Sequence, residues 1–353
     1  MNLQQQAVYD RQIATWLLIC AAVIFGMILL GGVTRLTGSG LSMVEWKPLM
    51  GVIPPLSEAA WMETFDKYKQ YPEYQKVNLG MDLAGFKQIF MYEYLHRVLG
   101  RFIGVLYFLP FVYFAWRGRV RAGMMPRLWL LFFLGGLQGL LGWYMVKSGL
   151  VDNPRVSQYR LTAHLGVAVL IYAYMIWVAV DLLTAKGQRL VTRWGGIRSW
   201  SMALVVLLYL MILSGGLVAG TRAGHAYSTW PLMGTSFIPD MIYSGSPAWL
   251  DIFEDITTIQ FNHRMFAYLL LLLIGITSVQ VFRRPELSAA RQATLLMGLA
   301  LLVQVVLGIS TLLLHVPVPL AAAHQGGAVL LLTAGVYFSY TLLRGAAAPR
   351  AGA

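Results

Sequence analysis

Eight long stretches of this chain carry few or no charges, at approximately 13–33, 89–116, 128–146, 161–182, 199–219, 259–282, 294–314 and 320–342. Each is about twenty residues or longer, enough at about 1.5 Å per residue to cross roughly 30 Å of hydrocarbon as a helix. Inside a bilayer the backbone has no water to bond with, so a spanning segment must satisfy its own peptide groups. An all-α membrane protein with eight transmembrane helices is therefore expected. Composition points the same way: 58% of the residues are hydrophobic and only 12% are charged. The mean hydropathy of +0.63 excludes a soluble domain of ordinary usage.

The net charge of +12 raises nucleic acid as a partner. The basic residues, however, are spread over short connections and form no patch with interleaved aromatics, so no nucleic acid is expected. They carry topology instead. Arg117, Arg119, Arg121 and Arg127 crowd one connection, Lys186, Arg189, Arg193 and Arg198 a second, and Arg283, Arg284 and Arg291 a third. These connections alternate, so by the positive-inside rule they lie in the cytoplasm with both termini. Glu58, Glu63, Asp66, Glu73, Asp82, Asp240, Asp251, Glu254 and Asp255 fall on the opposite side. The first span begins about twelve residues from Met1, which leaves no room for an Arg-rich transit peptide, and the span is too long for a cleavable signal core. A multi-pass protein of the bacterial inner membrane is expected. The single cysteine, Cys20, lies within the first span, so no intrachain disulfide and no thiolate cluster can form.

The two halves of the chain resemble each other. Gly31-Gly32-Val33-Thr34-Arg35 ends one span, and Gly215-Gly216-Leu217 followed by Thr221-Arg222 ends another. The outer segments then pass through Trp46-Lys47-Pro48 and Trp230-Pro231. The next spans open with Tyr94-Leu95-His96-Arg97 and Phe261-Asn262-His263-Arg264. Gln138 and Gly142 match Gln304 and Gly308, and Ala163-His164-Leu165-Gly166 matches Ala323-His324-Gln325-Gly326. The expected architecture is two tandem pseudo-symmetric four-helix bundles: an N-terminal unit at 1–183, a cytoplasmic linker at 184–198 and a C-terminal unit at 199–353. Between the first two spans, 34–88 is the longest outer segment. Trp61, Phe65 and Tyr68 recur there at helical spacing, which predicts an amphipathic helix lying on the outer surface.

Ionisable groups inside spans are costly and usually functional. His96, His164, His263 and His324 all fall in even-numbered spans, each within about two turns of the outer boundary, and so share one depth. Within a half, the two histidines come from different helices that can face each other. That is the geometry of two axial imidazoles on a haem iron. Arg97 and Arg264 directly follow their histidines, and Arg35 and Arg222 end neighbouring spans on the same side, where they suit haem propionates; snorkelling to the interface is the other use of such residues. Zinc or non-haem iron would ask for three or four close ligands, and each half offers two histidines. His225 and His315 have no counterparts in the other half and read as surface residues. The glycine pairs Gly31-Gly32, Gly215-Gly216 and Gly326-Gly327 suit either a macrocycle against backbone or close helix packing.

Glu93 breaks the symmetry. It lies three residues before His96, on the same helical face, and its counterpart is Gln260. As the lone acid near a span interior, it should have a raised pKa unless Arg97 or Arg101 pairs with it. A carboxylate beside one site alone suggests that only the first half performs acid–base chemistry. A di-haem cytochrome that merely carries electrons, the alternative, predicts symmetric sites; a duplicated transporter explains the repeat but not four histidines at one depth.

At these residues the sequence resembles the haem A synthase family, over essentially the whole chain. The resemblance is carried by Gly31-Gly32-Val33-Thr34-Arg35-Leu36-Thr37-Gly38-Ser39-Gly40-Leu41-Ser42, by Glu93-Tyr94-Leu95-His96-Arg97 and by the three later histidines. It implies an eight-helix enzyme that oxidises a methyl substituent of haem O to the formyl group of haem A, for use in terminal oxidases. It further implies that His263 and His324 hold a resident haem b, that His96 and His164 receive the substrate haem, and that Glu93 is an essential carboxylate near the reacting edge. The expected partners are haem O, membrane lipid, haem O synthase, oxidase assembly factors and a second copy of the chain. Some relatives carry cysteine pairs in their outer loops; this chain has none and is similar to the cysteine-free branch of proteobacteria and mitochondria.

Overall fold

The computed structural model describes residues 3–45, 52–150, 156–184 and 196–343. Trp46, Lys47 and Pro48, and Lys186, Arg189 and Arg193, lie outside the described residues. The helices are α1 (Leu3–Leu36), α2 (Glu58–Lys69), α3 (Pro72–Lys76), α4 (Leu83–Trp116), α5 (Met125–Gly149), α6 (Gln158–Leu183), α7 (Ile197–Thr221), α8 (Asp251–Glu254), α9 (Ile256–Arg283), α10 (Arg291–Leu313) and α11 (Val318–Leu343). Eight of them, α1, α4, α5, α6, α7, α9, α10 and α11, are long and apolar enough to cross a membrane, as the hydropathy predicts. The protein is a multi-pass membrane protein.

Most spans start a few residues before the hydropathy boundary, and in α4 and α9 a polar residue caps the helix outside the apolar stretch. Asp82 opens α4 by accepting from Gly85 N at 2.8 Å. Asp255 opens α9 by accepting from Thr258 N at 2.7 Å. Each supplies an acceptor for one of the donors that a helix N-terminus leaves unpaired. The 34 residues of α1 make a rod of roughly 50 Å, well beyond the hydrocarbon thickness.

Four helices form the centre. α6 and α11 are the most deeply buried spans, and with α1 and α7 they pack against one another across the two sequence halves. α4, α5, α9 and α10 lie outside them, and α5 shows the most exposed surface. Ile13, Leu17, Val169, Met175, Leu204, Met297, Val329 and Phe338 belong to one continuous apolar core. Polar bonds tie the centre together. Gln325 Nε2 donates to Ile28 O at 2.8 Å, linking α11 to α1, and Tyr172 meets Thr333 at 2.9 Å, linking α6 to α11. Small residues let backbones approach: a Cβ on Gly220 of α7 would lie 2.7 Å from the Gln158 backbone of α6.

Glu93 is not the lone acid among the spans. Asp181, near the end of α6, is buried and accepts from Arg121 Nη2 at 2.5 Å and Arg127 Nη1 at 3.0 Å. Asp10 adds a contact to Arg121 at 3.6 Å. At that end of the bundle the acids neutralise arginines of the α4–α5 connection.

The outer segment folds differently from a surface-lying helix. α2 forms at the predicted aromatics, with Ser57 as N-cap. Its apolar face, however, is turned onto protein: Phe65 and Tyr68 stack on Phe86 of α4 at ring-centroid distances of 4.9 and 5.1 Å. Trp61 meets Phe90 edge-on at 5.0 Å. The first turns of α4, extended beyond the predicted start at residue 89, supply this platform. That same extension places His96 more than three turns into its helix, whereas His164, His263 and His324 keep within about two turns of their helix starts.

Candidate functional site

One cavity of about 3000 Å³ opens among the spans, and His96, His164, His263 and His324 all line it. That is several times the roughly 300–1,000 Å³ of ordinary small-molecule sites. His96 of α4 lies near His164 of α6, and His263 of α9 lies near His324 of α11. The histidines are therefore paired within halves.

Each imidazole lies against a glycine on the preceding span. A Cβ on Gly31 of α1 would lie 3.0 Å from His96 Cε1, and one on Gly142 of α5 3.0 Å from His164 Cε1. On Gly308 of α10 it would come within 2.8 Å of His324 Cε1, and on Gly215 of α7 within 3.5 Å of His263 Cε1. The glycine pairs thus divide their work. Gly31 and Gly215 back histidines, while Gly32 faces Gln325, Gly216 faces Thr162, Gly326 faces Leu29 and Phe25, and Gly327 faces Gln304, as helix packing.

The ring nitrogens suit ligation. Nδ1 of His96, His164 and His324 is buried with no hydrogen-bond partner. Nδ1 of His263 meets Ser214 Oγ at 3.0 Å, a contact that fixes its ring. Gln138 Nε2 donates to His164 O at 3.0 Å and holds that turn of α6. Among the described residues no three His, Cys, Asp or Glu side chains converge as a metal cluster would require. Two-imidazole sites around a flat, mostly apolar group fit these walls; a zinc centre does not.

Arg97 and Arg264 turn toward the outer segments. Arg97 donates to Met43 O at 2.9 Å and Glu45 O at 3.3 Å. Arg264 donates to Thr229 O at 2.9 Å, Tyr227 O at 3.1 Å and Leu232 O at 3.3 Å. Each thus fastens its half's outer segment over the cavity, and both also line it. Arg35 crosses between halves, donating to Gly220 O at 3.0 Å. Arg222, at a left-handed φ of 61° after α7, is exposed on the cavity rim. His225 is exposed at the same rim, and His315 is an exposed residue at a helix end.

Glu93 is 3% exposed and fully engaged. Its Oε2 accepts from Ser42 Oγ at 2.7 Å and Met43 N at 2.8 Å, and its Oε1 forms a short ion pair with Arg97. The alternative allowed for in the sequence, pairing with an arginine, is what the fold adopts. Gln260 does the matching work in the other half, donating to Tyr227 O at 3.0 Å.

Sequence reasoning passed over two wall residues. Arg160 lies one helical turn before His164 and lines the cavity, a spacing that was open to reading. Glu73, on α3, is buried and lines the cavity beside Glu93. Burial first, then the negative charge of Glu93, pushes its carboxyl up to about 8. Tyr68, which donates to it, is likewise pushed up by burial and by Glu73.

A family model described as cytochrome oxidase assembly protein matches residues 14–336. The chain is 52% identical over 342 residues to a haem A synthase of Nitrosospira multiformis, covering 96% of each. It is 51% identical over 330 residues to that of Nitrosomonas eutropha, covering 92% of each, and 48% identical over 332 residues to that of Parvibaculum lavamentivorans, covering 94% of each. With paired histidines on one apolar cavity and this likeness along nearly its whole length, the chain belongs to the haem A synthase family of cytochrome oxidase assembly proteins.

Proposed function

We propose that this protein is a membrane oxidoreductase that converts haem O to haem A, oxidising one methyl group to a formyl group. The observation that carries the reading is the set of two imidazole pairs on one cavity wall, each ring backed by a glycine. We assign His263 and His324 to a resident haem b, and His96 and His164 to the substrate haem. Bound haem supplies the redox capacity that no side chain has. The chain's own residues orient the substrate, exclude water and handle protons. Glu93, one turn before His96, is the acid–base group of the first half. Arg35 and Arg222, with Arg97 and Arg264 beneath the outer segments, form the cationic rim for propionates.

The same reading treats 1–183 and 199–353 as two related four-helix units joined by 184–198. Matched caps at Asp82 and Asp255 and matched staples at Arg97 and Arg264 support it. It sets the chain in a bacterial inner membrane with both termini cytoplasmic, supplied with haem O by its synthase and passing haem A to oxidase assembly factors, with a homo-oligomer as the assembled form. A reporter fused to the C-terminus should score as cytoplasmic; a periplasmic signal overturns the orientation.

Pigment extraction from protein purified out of cells that make haem O tests the function. Haem O and haem A alongside haem B are expected. Haem B alone would make the protein an electron-carrying cytochrome, and no pigment at all would make it neither. His263→Ala should abolish or strongly disturb the low-spin haem B spectrum, and an unchanged spectrum would sink that ligand assignment.

A further inference from the structure

The outer segment of the first half holds a buried acid that this reading leaves without work. Glu73 is 7% exposed and shares the cavity wall with Asn78, Met81, Glu93 and His96. A directed chain of hydrogen bonds leads to it. Asn78 Nδ2 can only donate, and it donates to Tyr68 Oη at 2.8 Å. Tyr68 therefore turns its own hydroxyl proton to Glu73 Oε2, at 3.2 Å. With Oε2 an acceptor, any proton that Glu73 carries sits on Oε1. Oε1 has no hydrogen-bond partner among the described residues.

The ionisable groups around Glu73 are Tyr68 from α2, Tyr74 and the exposed Lys76 from its own helix, and Glu93 from α4. The charge of Glu93 reaches both Glu73 and Tyr68, and Glu93 is itself paired with Arg97. Two charged carboxylates in one apolar wall repel, so charge on Glu93 favours a proton on Glu73. On its other side Glu73 is one or two turns from the surface, where Gln75, Lys76 and Val77 are exposed. Oxidising a methyl group to a formyl group removes hydrogens from carbon, and those that leave as protons need acceptors between the cavity and water.

We propose that Glu73 is a proton-relay residue for the oxidation, standing between the Glu93–Arg97 pair and the outer water. The transfer is of protons alone: Glu73 gives the proton on Oε1 to water beside α3, and the carboxylate so formed takes up the proton that Glu93 has accepted from the reaction, with no bond to carbon and no electron moved in the step. Glu73 acts through Glu93 and does not touch the haem. Its pKa of about 8 keeps both protonation states accessible near neutral pH. This inference rests on the proposed conversion of haem O to haem A.

The test uses the full-length parent and Glu73→Gln, which keeps the shape and leaves an oxygen for Tyr68 to bond. Infrared titration of the purified protein reads the carboxyl directly. A protonated-carboxyl band should disappear with a midpoint near pH 8 in the parent and be missing in the variant. A band that persists in the variant, or that titrates in the ordinary carboxylate range, overturns the inference whether or not haem A is made. The second readout is the rate of haem A formation between pH 6 and pH 10. The parent should show a limb near pH 8 that Glu73→Gln abolishes, with a rate roughly tenfold lower at the optimum. Tyr68→Phe, which removes the donor and spares the acid, should move that limb and keep it. Coincident profiles for parent and Glu73→Gln overturn the relay. A parent that forms no haem A at any pH fails the proposed function instead, and the relay falls with it even if the infrared band titrates as expected.

Discussion

Glu93 and Gln260 stand at the same place in their helices, and both fasten an outer segment. Glu93 accepts from Ser42 and Met43 N, whereas Gln260 donates to Tyr227 O. An amide is therefore enough for the fastening, and the carboxylate of the first half needs a further reason. Glu93→Gln separates the two duties. The fold and the second-half haem should survive, while haem A formation should fall roughly a hundredfold, as for loss of a general acid or base. Haem O should accumulate on pigment extraction, and formation near the parent rate would make Glu93 structural. Glu73 makes a different prediction, about stability. Its folded pKa lies near 8, above the ordinary 4.5. The contribution is therefore fully present at low pH and is lost as pH rises toward and through 8. The fold around α3 should loosen at pH 9 relative to pH 6, by an amount on the order of a few kcal/mol at most. Trypsin cleavage at Lys67, Lys69 and Lys76 should accelerate over that interval in the parent and much less in Glu73→Gln. The four histidines were legible in the sequence because helical spans fix their depth and parity. Glu73 was not, since an outer segment has no period that says which acid turns inward.

Among the helices, the recurring device is a histidine laid against a glycine of the preceding span. The contacts are not equally tight: an added methyl would meet His324 at 2.8 Å from Gly308, but His263 at an ordinary 3.5 Å from Gly215. Gly308→Ala should therefore push the His324 ring aside, costing about 1–3 kcal/mol as overpacking does. Gly215→Ala should be accommodated. The low-spin haem B absorbance per mole of purified protein measures the difference: depleted or shifted for the first variant, close to parent for the second. Equal effects would refute the assignment of these contacts. Gly142 and Gly308 were visible as a repeat, but their partners depend on how α5 meets α6 and α10 meets α11, which hydropathy does not encode. The arginine staples escaped for the same reason. Arg97 and Arg264 read as propionate cations because they follow histidines, and only the folded outer segments bring backbone carbonyls to them. Span number and approximate bounds were legible throughout, since length and apolarity alone decide them.

Across the whole molecule, the repeat in the sequence is not a seam in the packing. α1 and α6 come from the first half, α7 and α11 from the second, and together they make one core. The bonds from Gln325 to Ile28 O, between Tyr172 and Thr333, and from Arg35 to Gly220 O all cross between halves. This orders events in time. At about 5–20 residues per second, the part of the chain after α6 takes roughly ten to thirty seconds to synthesise. Throughout that interval the Tyr172 hydroxyl of α6 stands in the bilayer without Thr333, and an unsatisfied polar group in hydrocarbon costs several kcal/mol. The first half must wait, inserted but incomplete, for the second to arrive. Cutting the chain between residues 184 and 196 makes the wait indefinite. Residues 1–184 produced alone should be degraded, and the same fragment produced with 196–353 should persist and co-purify with it. An N-terminal fragment that accumulates stably by itself would show that its core closes without the second half.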